Sequence, residues 1–403
     1  MQVYPPEESG MSGERLQRIN QYIDDEIGDN RLPGVLTLIQ RRGKIVHHSL
    51  HGLMDLEAGK AMQADALFRI FSMTKPITSL ALMMLVEEGR LMLHDPVAKY
   101  IPAFAQTRVF SHFVATGPKL VEQDPPMTVF NLLTHTAGLG YGLILDHALE
   151  PLFLELREKQ AIFRRDQSLQ ATIERIAQMP LLFQPGRQWH YSYATDVLGY
   201  LVQVISGMPF AGFLRERILQ PLGMVDTGFH VPPDKLDRLM QIYTSEALYD
   251  PFIPEHVMLL GDVTTPTQSP SGGAGLVSSA ADYLRFCNML LNGGELDGVR
   301  LVSPKTIQRM TTNAVPASLF PLSTSGEMFG YGFGLGFRVM MDVGRANGLG
   351  SAGEFGWAGA AKTYFLIDPQ EELIALLLTQ YLPIEEYRIR MLFSNLVYQA
   401  IVA

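Results

Sequence analysis

The chain has 403 residues, 47% hydrophobic and 18% charged, with 36 glycines, 25 prolines and one cysteine. That balance supplies enough apolar surface for a large buried core and excludes a disordered or low-complexity chain. Lys+Arg 32 against Asp+Glu 41 leaves a formal net charge of -9 with no local basic patch, so neither nucleic acid nor an anionic membrane is an expected partner.

Cys287 stands alone, so it cannot close an intramolecular disulfide, and one thiol cannot build a zinc-thiolate or iron–sulfur site. The start, Met1-Gln2-Val3-Tyr4-Pro5-Pro6, has neither the basic nor the apolar region of a secretory leader, and a cytoplasmic protein is expected. The longest apolar runs, residues 80–86 and 373–378, fall short of the ~20 residues a bilayer span needs.

In chain order, Leu16, Ile19, Ile23 and Ile27 recur at helical spacing behind Ser12, a candidate N-cap, and predict an opening amphipathic helix. Residues 35–40 and 44–49 read as a β-hairpin around Arg41-Arg42-Gly43, whose glycine suits a hairpin bulge. Residues 363–367 and 373–379 read as strands flanking the turn Asp368-Pro369-Gln370-Glu371. A closing helix is expected over residues 384–401, with Tyr387, Met391, Ser394 and Tyr398 at helical intervals. Between the ends lie helical patterns cut by Pro- and Gly-rich loops, including residues 251–275. The expected class is α+β: an antiparallel sheet from both chain ends, flanked by helices, with a mainly helical insertion. Residues 1–70 and 275–403 would form the sheet domain and residues 71–274 the helical one.

Ser72-Met73-Thr74-Lys75 is the one Ser-x-x-Lys in the chain and precedes an apolar helix over residues 77–86 closed by Gly89. At this spacing the two side chains share a helix face, as a serine nucleophile with a lysine base requires. A serine N-cap followed by a snorkelling lysine explains the tetrapeptide equally well. No Gly-x-Ser-x-Gly elbow is present, which disfavours an α/β-hydrolase. In residues 356–363 the glycine is not adjacent to the lysine, as a phosphate loop would need.

Five ordered segments then settle the choice between these readings. They are Phe68-Arg69-Ile70-Phe71-Ser72-Met73-Thr74-Lys75-Pro76, Leu132-Leu133-Thr134-His135-Thr136-Ala137-Gly138-Leu139, Pro185-Gly186-Arg187-Gln188-Trp189-His190-Tyr191-Ser192-Tyr193, Gly272-Gly273-Ala274-Gly275-Leu276 and Gly356-Trp357-Ala358-Gly359-Ala360. Together they make the chain resemble the serine β-lactamase and penicillin-binding-protein superfamily in its class C-like branch, and most of all the family VIII carboxylesterases. The resemblance implies a β-lactamase/transpeptidase-like fold, with Tyr191 joining Ser72 and Lys75 at the reacting centre. It also implies an oxyanion hole from the backbone N–H groups of Ser72 and Ala360, and Tyr193, Trp357 and Gly359 against substrate. Lys362-Thr363-Tyr364 is rejected as the lactamase Lys-Thr-Gly, because Tyr364 would bar the close approach that glycine permits.

Two departures from the lactamase pattern bear on substrate. Trp357 carries no charge to hold a lactam carboxylate, and Tyr193 stands where an asparagine would contact a lactam side-chain amide. Both favour neutral acyl groups. The expected activity is a cofactor-free serine carboxylesterase acting on small or short-chain acyl esters. The alternatives are a β-lactamase, D-amino-acid peptidase or acyltransferase on the same scaffold, or a non-catalytic ligand binder.

Other features read as structural. His135 is expected to be a loop imidazole bonded to backbone. His47, His48 and His51 lack companions at ligand spacing, so no metal site is expected. Gly330, Gly332, Gly334 and Gly336 are expected to line one face of a closely packed strand. Met83, Met84 and Met92 are expected to fill the core or cleft, Cys287 to sit in a helical core, and Trp189 to pack beside the site.

Overall fold

Ser12 accepts a hydrogen bond from the Arg15 amide and opens α1 (Gly13–Gly28), whose Leu16, Ile19 and Ile23 are buried as the spacing predicts. The computed structural model describes residues 1–142, 147–158, 166–244, 253–254, 262–324, 326, 328–382 and 388–403. β1 (Gly34–Arg41) and β2 (Lys44–Asp55) form the expected hairpin. Its bulge, however, lies away from the turn. Arg42 and Gly43 both have positive φ, 51° and 75°, a two-residue turn whose twist matches the strands, and the register slips instead opposite Ile39 and Gln40.

β3 (Lys60–Ala61) continues one edge of the sheet. The carboxyl-terminal part supplies β4 (Tyr331–Phe333), β5 (Arg338–Met340), β6 (Phe355–Ala358), β7 (Tyr364–Asp368) and β8 (Leu373–Leu378). The eight strands lie in the order β4-β5-β6-β7-β8-β1-β2-β3 with antiparallel neighbours throughout. The two ends of the chain meet at the centre, where Leu36 faces Leu378 and Leu38 faces Leu376.

Every residue of β1 is buried, because alternate side chains enter two different cores. Leu36 and Leu38 pack with Ile77 and Leu80 of α2 (Thr74–Glu87), Leu198 and Leu201 of α3 (Ala194–Ser206), and Phe286 and Leu290 of α4 (Ala280–Leu291). Val35 and Ile39 pack on the opposite side with α1 and with Phe393 and Val397 of α5 (Arg388–Tyr398). Helices thus cover both faces of an antiparallel sheet, the α+β arrangement expected.

Outside the sheet, Leu67–Arg69 pairs antiparallel with Val277–Ser279, which sets the approach to Ser72 beside the Gly272–Gly275 segment. Gln380 clamps the same strand, accepting from the Arg69 amide and donating to the Arg69 carbonyl, both at 3.0 Å.

Three expectations are corrected. Met92 is 69% exposed rather than a filler, because the chain turns after Gly89 and the Met92 amide donates to Asp95 Oδ2 in a surface turn. Of the four alternating glycines only Gly332 lies in a strand; Gly330 and Gly336 have positive φ in turns, although all four do sit against neighbours with no room for a Cβ. The strand expected from residue 363 begins at Tyr364. Residues 383–387, with the expected Tyr387, and much of the loop expected over 251–275 lie outside the described residues. Among the described residues no single helix is long and apolar enough to cross a membrane.

Candidate active site

Phe71–Met73 make a single 3-10 turn that runs directly into α2. Phe71, just before Ser72, has φ 44°, a conformation that typically costs about 1–3 kcal/mol for a residue with a side chain. Its ring is held in an apolar cluster with Ile242 and Ala361. Ser72 does not cap α2, which has no side-chain cap; its Oγ accepts a hydrogen bond from Lys75 Nζ at 3.2 Å.

Lys75 is 1% exposed, one turn into a helix whose other faces are apolar. Its ammonium also donates to the Gly273 carbonyl at 2.8 Å, and lies 4.5 Å from the ring centre of Tyr191 and 5.3 Å from that of Tyr141. A hydroxyl and an amine from one stretch of the chain therefore meet a phenol from a remote one. Burial alone would push the Lys75 pKa down, but Tyr141, Tyr191 and the Asp196 carboxylate outweigh it and hold the pKa above the ordinary lysine value. Burial raises the Tyr141 phenol against the pull of Lys75.

Asp196, buried on the first turn of α3, organises the other side of the lysine. Its Oδ1 accepts from Ser271 Oγ at 2.6 Å and from the Gly273 amide at 2.9 Å, fixing the loop whose carbonyl receives Lys75. Burial raises its carboxyl, opposed by Lys75 and these two donors. A Cβ on Gly273 would stand 2.5 Å from Asp196 Oδ2, so only glycine permits this approach. Thr78 Oγ1 donates to the Gly272 carbonyl at 2.7 Å and ties the loop to α2.

Tyr191 is enclosed by aromatic rings. Trp357 Nε1 donates to its hydroxyl at 3.3 Å, His135 packs at 4.8 Å between centres, and Trp189 stacks at 20°. His135 has φ 56°, its carbonyl accepts from the His190 amide at 2.9 Å, and its Nδ1 lies 3.3 Å from Ser192 Oγ. Burial, with the charges of Lys75 and His190, pushes the His135 pKa well below the usual histidine value, which suits a neutral structural ring. Tyr193 immediately precedes α3 and is buried edge-on against Tyr141, at 4.8 Å between ring centres.

Gly359 opens a turn between β6 and β7, where its amide donates to the Thr363 carbonyl at 2.8 Å. A Cβ there would collide with the Ile70 carbonyl and Thr363 Oγ1. The turn bearing Ala360 is thereby pressed against the residues that lead into Ser72. Lys362 lies in this turn with φ 64°, its ammonium 4.8 Å from the Tyr381 ring centre.

Tyr141 and Asp196 escape the sequence reading. A buried aspartate five positions beyond Tyr191, in an otherwise apolar helix, is the local signal for Asp196. Tyr141, between Gly140 and Gly142, carries no signal of its own.

An antiparallel sheet closed by both chain ends, with a half-buried serine and a buried lysine one helical turn apart beside a tyrosine, defines the serine β-lactamase/transpeptidase class of fold. The Beta-lactamase family model matches residues 19–397; the chain belongs to that family and is a hydrolase of the serine β-lactamase superfamily. It is 32% identical to Esterase EstB of Burkholderia gladioli, over 90% of this chain and 89% of that protein. Among solved structures it is similar to EstCE1, described as a hydrolase with promiscuous acyltransferase activity, with a TM-score of 0.78, 28% identity and 96% and 98% of the two chains covered. Simvastatin Synthase (LovD) from Aspergillus terreus shares the fold, with a TM-score of 0.81, 21% identity and the same coverage, 96% and 98%.

Proposed function

We propose that the protein is a serine carboxylesterase acting on small or short-chain acyl esters. The observation that carries this reading is the 3.2 Å contact between Lys75 Nζ and Ser72 Oγ with the Tyr191 ring against the same ammonium. Tyr191, its ring against the charged Lys75, acts as the phenolate that takes the Ser72 proton as Oγ attacks the ester carbonyl. The amides of Ser72 and Ala360 hold the oxyanion, and the phenol returns the proton to the departing alcohol. Water, activated by the same phenolate, then adds to the acyl-enzyme and releases Ser72 and the acid. Trp357 brings an uncharged N–H to the reacting phenol, and with Tyr193 and Gly359 it would shape the acyl site for neutral groups.

The likeness to EstB and EstCE1 supports an ester as substrate. The description of EstCE1 also favours a second reading, in which an alcohol displaces the acyl group in place of water. Rates on a short-chain p-nitrophenyl ester, with and without added alcohol, on nitrocefin and on a D-amino-acid peptide separate these outcomes. Ester hydrolysis should dominate and vanish in Ser72→Ala. A leading lactam or peptide rate, or an active Ser72→Ala enzyme, would overturn the proposal.

A further inference from the structure

Glu150 is fully buried, and its carboxylate accepts hydrogen bonds from the Tyr141 amide at 3.0 Å, from the Gly142 amide, and from Nε2 of His190 at 2.7 Å. A carboxylate taken out of water is costly unless donors replace the water it loses. Here the donors come from two separate segments, and each segment carries a phenol that faces Lys75. Tyr141 follows directly on the loop glycine Gly140, and Tyr191 is the next residue after His190. Their rings meet edge to face at 5.3 Å between centres.

Independent contacts fasten the same two segments. The Tyr193 amide donates to the Gly140 carbonyl at 3.3 Å, and the His190 amide donates to the carbonyl of His135, whose ring packs on Tyr191. A Cβ on Gly142 would stand 2.5 Å from the Leu154 amide nitrogen, so the Tyr141 loop lies flush on the helix Glu150–Glu158 that Glu150 begins.

We propose that Glu150, with His190 as its partner, is a positioning residue: it ties the Tyr141 loop to the Tyr191 segment and so sets the Tyr141 phenol against the Lys75 ammonium. Its catalytic consequence rests on the esterase reading above. Glu150 touches none of the reacting atoms and acts through Tyr141. Displacing a catalytic group by ~1 Å is enough to cost ~10² in rate.

The test is Glu150→Gln, which keeps the side-chain shape but turns an NH2 toward groups that need an acceptor. The variant should lose about 10–100-fold in kcat with KM within about threefold, and hydrogen exchange at the Tyr141 and Gly142 amides should accelerate. In a Tyr141→Ala background the same substitution should change kcat by less than about threefold, because the group it acts through is gone. An equal loss in both backgrounds, or exchange and kcat unchanged in Glu150→Gln, would overturn the proposal. Should the glutamine variant not fold, His190→Phe removes the ring donor while leaving Glu150 its two amides, and should cost about tenfold in kcat with the same dependence on Tyr141. Exchange is read without substrate. If the unaltered protein hydrolyses no ester, the esterase reading fails alone, whereas unchanged protection in the variant defeats the positioning role alone.

Discussion

On the mechanism proposed above, the buried Lys75 ammonium, which hydrogen-bonds both to Ser72 and to the Gly273 carbonyl, keeps its charge while Tyr191 moves the proton. Asp196 contributes to that state from the far side of Lys75, and its removal should be visible in the pH profile. The sign is as follows: Asp196 raises the Lys75 pKa, so Asp196→Asn lowers it, and the alkaline limb of kcat/KM, where the charged lysine is lost, should move to lower pH. A limb that stays in place or moves upward would show that Asp196 does not support the charge. At this scale the spacing of Ser72 and Lys75 raised the pair as candidates, and the five ordered segments singled it out together with Tyr191. Tyr141 and Glu150 were hidden and Asp196 left only its lone place in an apolar helix, because each works through contacts between separate segments, which a helical or strand period does not encode.

At the scale of elements, the site depends on two backbone segments that approach closely enough to exclude a side chain: the Gly272–Gly273 loop on Asp196, and the Gly359 turn on Ile70. Gly359→Ala should force the turn away from the residues before Ser72. If Ala360 supplies an oxyanion donor, kcat should fall by ~10²–10³, the loss seen when one such donor is removed. Unchanged kcat in a folded Gly359→Ala protein would remove the turn from the mechanism. The hairpin, the opening helix and the β7–β8 turn were legible because each is local, written in a period of two or 3.6 with its own cap or turn residues. The pairing of Leu67–Arg69 with Val277–Ser279 was not, since a three-residue strand has too few positions to show an alternation.

For the whole molecule, the two chain ends are joined not only by strand pairing but by a buried polar cluster between the sheet and α5. Arg338 donates to Glu354 Oε1 at 2.8 Å, and the Tyr398 hydroxyl lies 3.0 Å from Glu354 Oε2 and 2.8 Å from Asp368 Oδ2. One phenolic proton cannot serve two carboxylates. Burial raises the Glu354 pKa against the pull of Arg338 and Tyr398, so its carboxyl binds a proton more tightly folded than unfolded. Its contribution to stability is then complete below the ordinary carboxyl range and is lost as pH rises through the folded value. Glu354→Gln, which copies the protonated form, should flatten that part of the stability curve in denaturant titrations across pH. A slope identical to that of the unaltered protein would contradict this. The expected architecture of one sheet from both ends was readable from the strong terminal patterns. This cluster was not, because Arg338, Asp368 and Tyr398 sit on separate elements and Glu354 in the loop before β6.

Covalent capture of the nucleophile tests the central claim most directly. After treatment with a fluorophosphonate, intact-mass measurement and peptide mapping should find a single adduct on the peptide containing Ser72, and none in Ser72→Ala. No adduct on the folded protein, or an adduct at another residue that survives the Ser72→Ala substitution, would contradict the account.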